Sequence, residues 1–144
     1  MNDYKLRRTI IGQLPHGSDL YDGLTEISRK ANIRLGRITG IGATTFARVA
    51  FYDQNTKQYN PLEFPGAMEI LNLTGNVSLR DGKPFVHVHI VLGDPEGRTF
   101  GGHLLPGTKL FACEVSIDEF EGEKLSREFE QRTGLYLWSS GVLE

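Results

Sequence analysis

The chain has one cysteine, one tryptophan and two methionines in 144 residues. With Cys113 as its single thiol it can form no internal disulfide, so the fold must rest on a buried core. No apolar run approaches the roughly 20 residues that span a bilayer. The stretch Met1-Asn2-Asp3-Tyr4-Lys5 lacks the apolar segment of a secretory signal. Positive charge is not in excess either: 16 Lys and Arg stand against 18 Asp and Glu, a formal net charge of −2. A chain so balanced has no global field that attracts nucleic acid. No serine sits in a Gly-x-Ser-x-Gly elbow. Gly40-Ile41-Gly42 has no third glycine at the spacing of a dinucleotide fingerprint and reads as a tight turn between strands. These absences exclude serine-hydrolase and Rossmann chemistry. They point to a cytoplasmic protein without a membrane partner, folded as a single domain over 1–144.

What is present is a cluster of histidines. His87 and His89 lie in Phe85-Val86-His87-Val88-His89-Ile90, where apolar residues alternate with histidine as on a strand. Residues i and i+2 of a strand share a face, roughly 6–7 Å apart at the backbone. The chain then turns through Gly93-Asp94-Pro95-Glu96-Gly97 and returns with a third imidazole in Gly101-Gly102-His103. Three neutral imidazoles with one open position suit zinc or another transition metal. The register decides whether they meet. A turn centred between Pro95 and Glu96 sets Val88 opposite His103 and sends the third histidine to the other face. A turn centred on Glu96 sets His89 opposite His103, and a bulge at Gly101-Gly102 is one way to reach that shift.

Along the chain, residues 4–11 read as a strand. Ser18 or Asp19 caps a helix over 19–31, whose stripe is Leu20, Leu24, Ile27 and Ala31. Strands follow at 33–40, 45–53 and 57–62, with a loop at 62–66 carrying Phe64. A further strand runs over 67–79, and Asp81-Gly82 signals a hairpin. After the histidine hairpin come a strand at 108–118, an acidic surface segment with a short helix at 124–131, and an apolar tail at 135–138 that could close the sheet. Short connections imply antiparallel pairing. The expected class is α+β: a mostly antiparallel sheet with one main helix packed on it.

Other residues have a plain and a functional reading. Asp94 caps its turn or orients an imidazole. Glu114 is a solvated or ion-paired strand residue, or a base or fourth ligand at the metal. Glu69 pairs with an arginine. His16 lies in an exposed loop, and Cys113 packs within a strand. Arg7-Arg8 and the pair Arg34 and Arg37 are solvated surface charges.

The order of segments resembles the plants-and-prokaryotes conserved (PPC) family over about residues 4–140. The resemblance is carried by Thr39-Gly40-Ile41-Gly42-Ala43, Phe51-Tyr52-Asp53, Glu69-Ile70-Leu71-Asn72-Leu73-Thr74-Gly75, His87-Val88-His89, Leu92-Gly93-Asp94, Gly101-Gly102-His103-Leu104 and Glu114-Val115. It implies a compact α+β domain that assembles as a homotrimer. It also implies a metal site at His87, His89 and His103, and the DNA-binding label that members of this family carry. This chain lacks the Arg-Gly-Arg-Pro hook of the plant members.

Two functions follow. One is a metal-containing binding module, holding one transition metal ion per chain, most simply zinc, with a small-molecule or protein partner and weak DNA binding alone. The other is a zinc-dependent hydrolase or lyase acting on a small molecule at the three-histidine site. No residue is assigned a catalytic role.

Overall fold

A computed structural model describes residues 3–141. The elements are β1 (Lys5–Leu14), α1 (Leu20–Lys30), β2 (Gly36–Asp53), β3 (Gln58–Arg80), β4 (Lys83–Gly93), β5 (Thr99–Leu104), β6 (Lys109–Glu121), β7 (Arg127–Glu130) and β8 (Leu135–Trp138). The first six strands form one antiparallel sheet in the order β1-β6-β2-β3-β4-β5. That sheet and, among the described residues, one helix give the α+β class expected from the sequence. Among the described residues no helix is long and apolar enough to cross a membrane.

The sheet curls until β5, already paired to β4, also meets β2 at Val49–Leu104 and Ala50–His103. Long strands allow this because their register shifts bend them, between Gly40 and Gly42, Thr44 and Phe46, and Ile70 and Asn72.

Helix α1 starts where the sequence places it. Asp19 is the N-cap, its carboxylate accepting from the Asp22 amide at 3.1 Å. Leu20 and Leu24 are fully buried, with Ile27 and Ala31 partly buried beside them. Each buried leucine contributes roughly 1.5–3 kcal/mol relative to an exposed one. The helix packs against β4 and shares one core with Val88, Ile90, Ile38, Leu73 and Ile117, which are the inward residues of the central strands.

Three local expectations are corrected. Gly40-Ile41-Gly42 is no turn but lies inside the 18-residue strand β2. A Cβ at Gly42 would collide with the Ala112 carbonyl, so the glycine there serves close strand approach. The 62–66 segment is strand as well: Phe64 pairs with Ala47 and stacks on Phe100 at 5.2 Å. Pro61 and Pro65 are tolerated there because β4 pairs only with β3 from Glu69 onward, leaving that edge free. Residues 124–131 hold β7 instead of a helix, and the tail pairs with it as β8 without joining the main sheet. Leu125 and Arg127 are buried while Ser126 and Glu128 are exposed, an alternation that belongs to a strand.

Candidate metal centre

Strand β4 turns Val86, Val88, Ile90 and Leu92 to the core, so His87 and His89 project from the opposite face. Strand β5 brings His103 directly opposite His89. The cause lies in the loop. The Asp94 amide donates to the Arg98 carbonyl at 3.0 Å, leaving Pro95, Glu96 and Gly97 as a three-residue turn centred on Glu96, with Gly97 at φ 80°. Pairing from Gly93–Thr99 to His89–His103 is unbroken, so no bulge at Gly101-Gly102 is needed. Asp94 is the turn cap: its carboxylate accepts from the amides of Glu96 (3.0 Å) and Arg98 (2.8 Å) and from Arg98 Nε (2.6 Å).

The three rings converge. Their centroids lie 5.0–5.4 Å apart, and one ring nitrogen of each is within 4.8 Å of the others. His87 Nε2 and His89 Nε2 are 3.3 Å apart. Two nitrogens on a tetrahedral zinc at about 2.0–2.1 Å stand about 3.3–3.4 Å from each other. His103 Nδ1 is buried without a hydrogen-bond partner. A donor set of three imidazoles, one with an orphaned nitrogen, fits a borderline-soft divalent metal. Burial, then the neighbouring histidines and Arg127, lowers the pKa of His87 and of His103 from 6.5 to about 4. Both rings are therefore neutral near pH 7, with lone pairs free to bind.

Around this trio lie residues the sequence reading did not single out. Tyr59 stacks on His103 at 4.8 Å. Arg127 reaches in from β7 and is only 8% exposed. Its Nε donates to Ser78 Oγ (2.8 Å), Nη1 to the Tyr136 carbonyl (3.0 Å) and Nη2 to Asn76 Oδ1 (2.8 Å), with His87 Nδ1 at 3.4 Å. Its charge also lies over the Phe85 and Trp138 rings at 5.5 and 5.6 Å. Burial lowers the pKa of this guanidinium. A cavity of about 320 Å³ opens beside His87, His103, Tyr59 and Arg127. The only sequence signal for Arg127 is the inward alternation of Leu125 and Arg127, masked by the acidic residues around them.

The remaining candidates lie elsewhere. Glu114 sits on β6, opposite Gln13 and Ile41, three strands from β4, and does not join the histidines. Glu69 is exposed on β3, and among the described residues no arginine pairs with it. His16 Nδ1 is 2.8 Å from the Phe111 carbonyl. Cys113 is buried, and burial pushes its thiol up to about 11. Arg7 and Arg8 both pair with Glu119, Arg37 with Asp118 and Arg48 with Glu63.

The model of the Plants and Prokaryotes Conserved domain matches residues 1–121. The chain belongs to this family. Among solved PPC-like structures, a metal-containing protein of Archaeoglobus fulgidus is 37% identical, with a TM-score of 0.91 and 97% of this chain and 99% of that one covered. A plant- and prokaryote-conserved protein of Pyrococcus horikoshii is 35% identical, with a TM-score of 0.92 over 98% and 97%. A candidate DNA-binding protein of Bacteroides thetaiotaomicron is 28% identical, with a TM-score of 0.85 over 96% and 97%. The bifunctional protein GlmU of Synechococcus sp. (strain JA-3-3Ab) is 32% identical over 120 residues, 82% of this chain. The PPC chain spans only 18% of the length of that curated relative.

Proposed function

We propose that this PPC chain is a metal-centred binding module. It holds one zinc ion on His87, His89 and His103 and leaves one coordination position for a ligand. The observation that carries this reading is the convergence of three ring nitrogens, one from each histidine, within 4.8 Å. The metal-containing relative of Archaeoglobus fulgidus supports it. Zinc, when bound, supplies a Lewis acid and an acidified water. The chain's own residues orient the site: β4 and β5 set the rings, and Arg127 and Tyr59 wall the cavity. Elemental analysis of untagged protein is expected to find about one ion per chain. His89→Ala is expected to lose most of that metal while keeping the far-UV circular dichroism of the parent. Metal-free protein after zinc supplementation refutes the proposal.

The cavity beside the histidines supports a second reading, a zinc-dependent hydrolase or lyase for a small molecule. Among the described residues no carboxylate lines that cavity, so an acid–base role would fall to Tyr59, Tyr136 or the metal's own water.

The assembly we propose is a cytoplasmic homotrimer with residues 1–144 acting as one unit. Support comes from Ile11, Ile41 and Val91, which are exposed on the sheet face away from α1. Sedimentation equilibrium is expected to give three chains. DNA binding by this chain alone is weak in this reading, although relatives are named as candidate DNA-binding proteins. Arg7, Arg8, Arg37 and Arg48 are each held by a carboxylate, and tripling the charge of −2 gives about −6.

A further inference from the structure

The surroundings of the three histidines are one-sided in charge. Arg127 is buried, yet among the described residues every acceptor it meets is neutral: a serine hydroxyl, a backbone carbonyl, an asparagine oxygen and an imidazole nitrogen. Arg80, partly buried at the same cavity, spends its charge on the Tyr136 ring at 3.5 Å. Among the described residues no Asp or Glu lines this cavity. A buried cation without a counter-ion is costly, and a divalent metal on the histidines adds to the same excess. Elsewhere the chain does pair its arginines: Arg7 and Arg8 share the buried Glu119, and Arg98 holds Asp94. Among the described residues, the lack of a carboxylate at Arg127 is thus a local property of this cavity.

The guanidinium also keeps capacity. It has five N–H groups, against the four acceptors just named. The contact to His87 Nδ1 is long at 3.4 Å. If His87 binds a metal through Nε2, its Nδ1 carries the proton and ceases to accept, which frees a further Arg127 N–H. The cavity's other walls are apolar or aromatic, with Phe85, Tyr59 and Leu137 among them. A free inorganic anion would leave those walls bare.

We propose that this cavity binds a small organic carboxylate, its carboxylate paired with the Arg127 guanidinium beside the metal position and its apolar body against Phe85, Tyr59 and Leu137. This rests on the metal-site reading for the place of the metal, while Arg127 carries the carboxylate independently. Planar carboxylate matches the guanidinium fork, and the apolar walls select an organic acid over phosphate.

The test is calorimetric titration of the zinc-loaded protein with benzoate, its neutral isostere benzamide, and inorganic phosphate. Saturable benzoate binding is expected, with benzamide and phosphate each at least tenfold weaker. Arg127→Gln is expected to lose at least tenfold for benzoate while keeping its zinc content and circular dichroism spectrum. Should that variant fail to fold, phenylglyoxal labelling of the native protein, mapped by mass spectrometry, replaces it: benzoate is expected to protect Arg127, and benzamide is not. Equal affinity for benzoate and benzamide, phosphate binding as tightly as benzoate, or no saturable benzoate binding overturns the inference. Zinc bound without benzoate overturns this inference alone. Benzoate bound through Arg127 in a protein that takes up no zinc keeps the carboxylate site and overturns the metal reading.

Discussion

Two hairpins meet at the same cavity and are built in opposite ways. The β4–β5 hairpin carries the three histidines, lies within the six-stranded sheet, and has Val86, Val88, Ile90 and Leu92 pressed into the core behind it. The β7–β8 hairpin has four residues per strand and no place in that sheet. It is held by polar contacts. These are the bonds of Arg127, the bridge of Ser126 to Leu79, Tyr52 Oη to the Thr133 carbonyl at 2.6 Å, and Lys57 Nζ to the Gln131 carbonyl at 3.0 Å. An isolated two-stranded hairpin is at best marginally stable in water. One side of the site is therefore rigid scaffold, and the other is docked on it through a few hydrogen bonds and a buried arginine. That division suits the proposed site, in which the histidines stay fixed on the sheet and the cavity's other wall is held by fewer contacts.

The largest expected effect is on the scaffold. A Cβ at Gly75 of β3 would overlap the His87 carbonyl and lie 2.8 Å from Val88 Cα. Gly75→Val is expected to cost about 3 kcal/mol or more in urea denaturation, because backbone cannot move aside as a flexible side chain can. A loss below about 1 kcal/mol would mean that β3 and β4 are less tightly apposed than described.

Next comes the docked side. Arg127→Ala removes the donors to Ser78, Asn76 and the Tyr136 carbonyl. It is expected to cost about 1–3 kcal/mol and to speed amide exchange in residues 127–138 while the amides of β4 keep their protection. Equal acceleration in both hairpins would join them into one cooperative unit and remove the contrast.

A pH titration separates the two sides by charge. His87 and His103 have pKa values near 4 in the folded chain against an ordinary 6.5, so the unfolded state binds more protons between those values. Stability of the metal-free protein is expected to fall as pH drops from about 6.5 towards 4, and to be flat above that window as far as these groups are concerned. The His87→Gln/His103→Gln double variant is expected to flatten the decline in thermal midpoint across the same range. An unchanged slope would place the acid sensitivity elsewhere.

The smallest effect is expected at the loop. Asp94→Ala removes the acceptor for two amides of the β4–β5 turn. It is expected to weaken metal retention by no more than a few-fold in a chelator competition, since the sheet register from Gly93 to His89 also holds His103 in place. Complete metal loss would show that the turn alone sets the third histidine.

Much of this was legible in the chain. Local rules marked the capped helix at Asp19, the Asp81-Gly82 hairpin and the period-two strand with two histidines, because each depends on residues within a few positions. Where the reading failed, the local pattern had two meanings. Glycines at 40 and 42 look like a turn until β6 is known to pass close behind Gly42. Prolines at 61 and 65 look like a loop until the strand edge beside them is known to be free.

The sequence by itself determined the fold class, the identity of the three imidazoles and the two registers on which they could or could not meet. Only the tertiary structure chose between those registers, through a three-residue turn, and only it brought Arg127 and Tyr59 to His87 and His103 from segments 40 and 44 residues away. The reason is physical. Side-chain periodicity reports which way a residue points within its own element. Which distant element it then faces is settled by the packing of the whole sheet, where the burial of Leu73, Val88 and Ile117 fixes the strand order and the polar residues on the far face meet as a consequence.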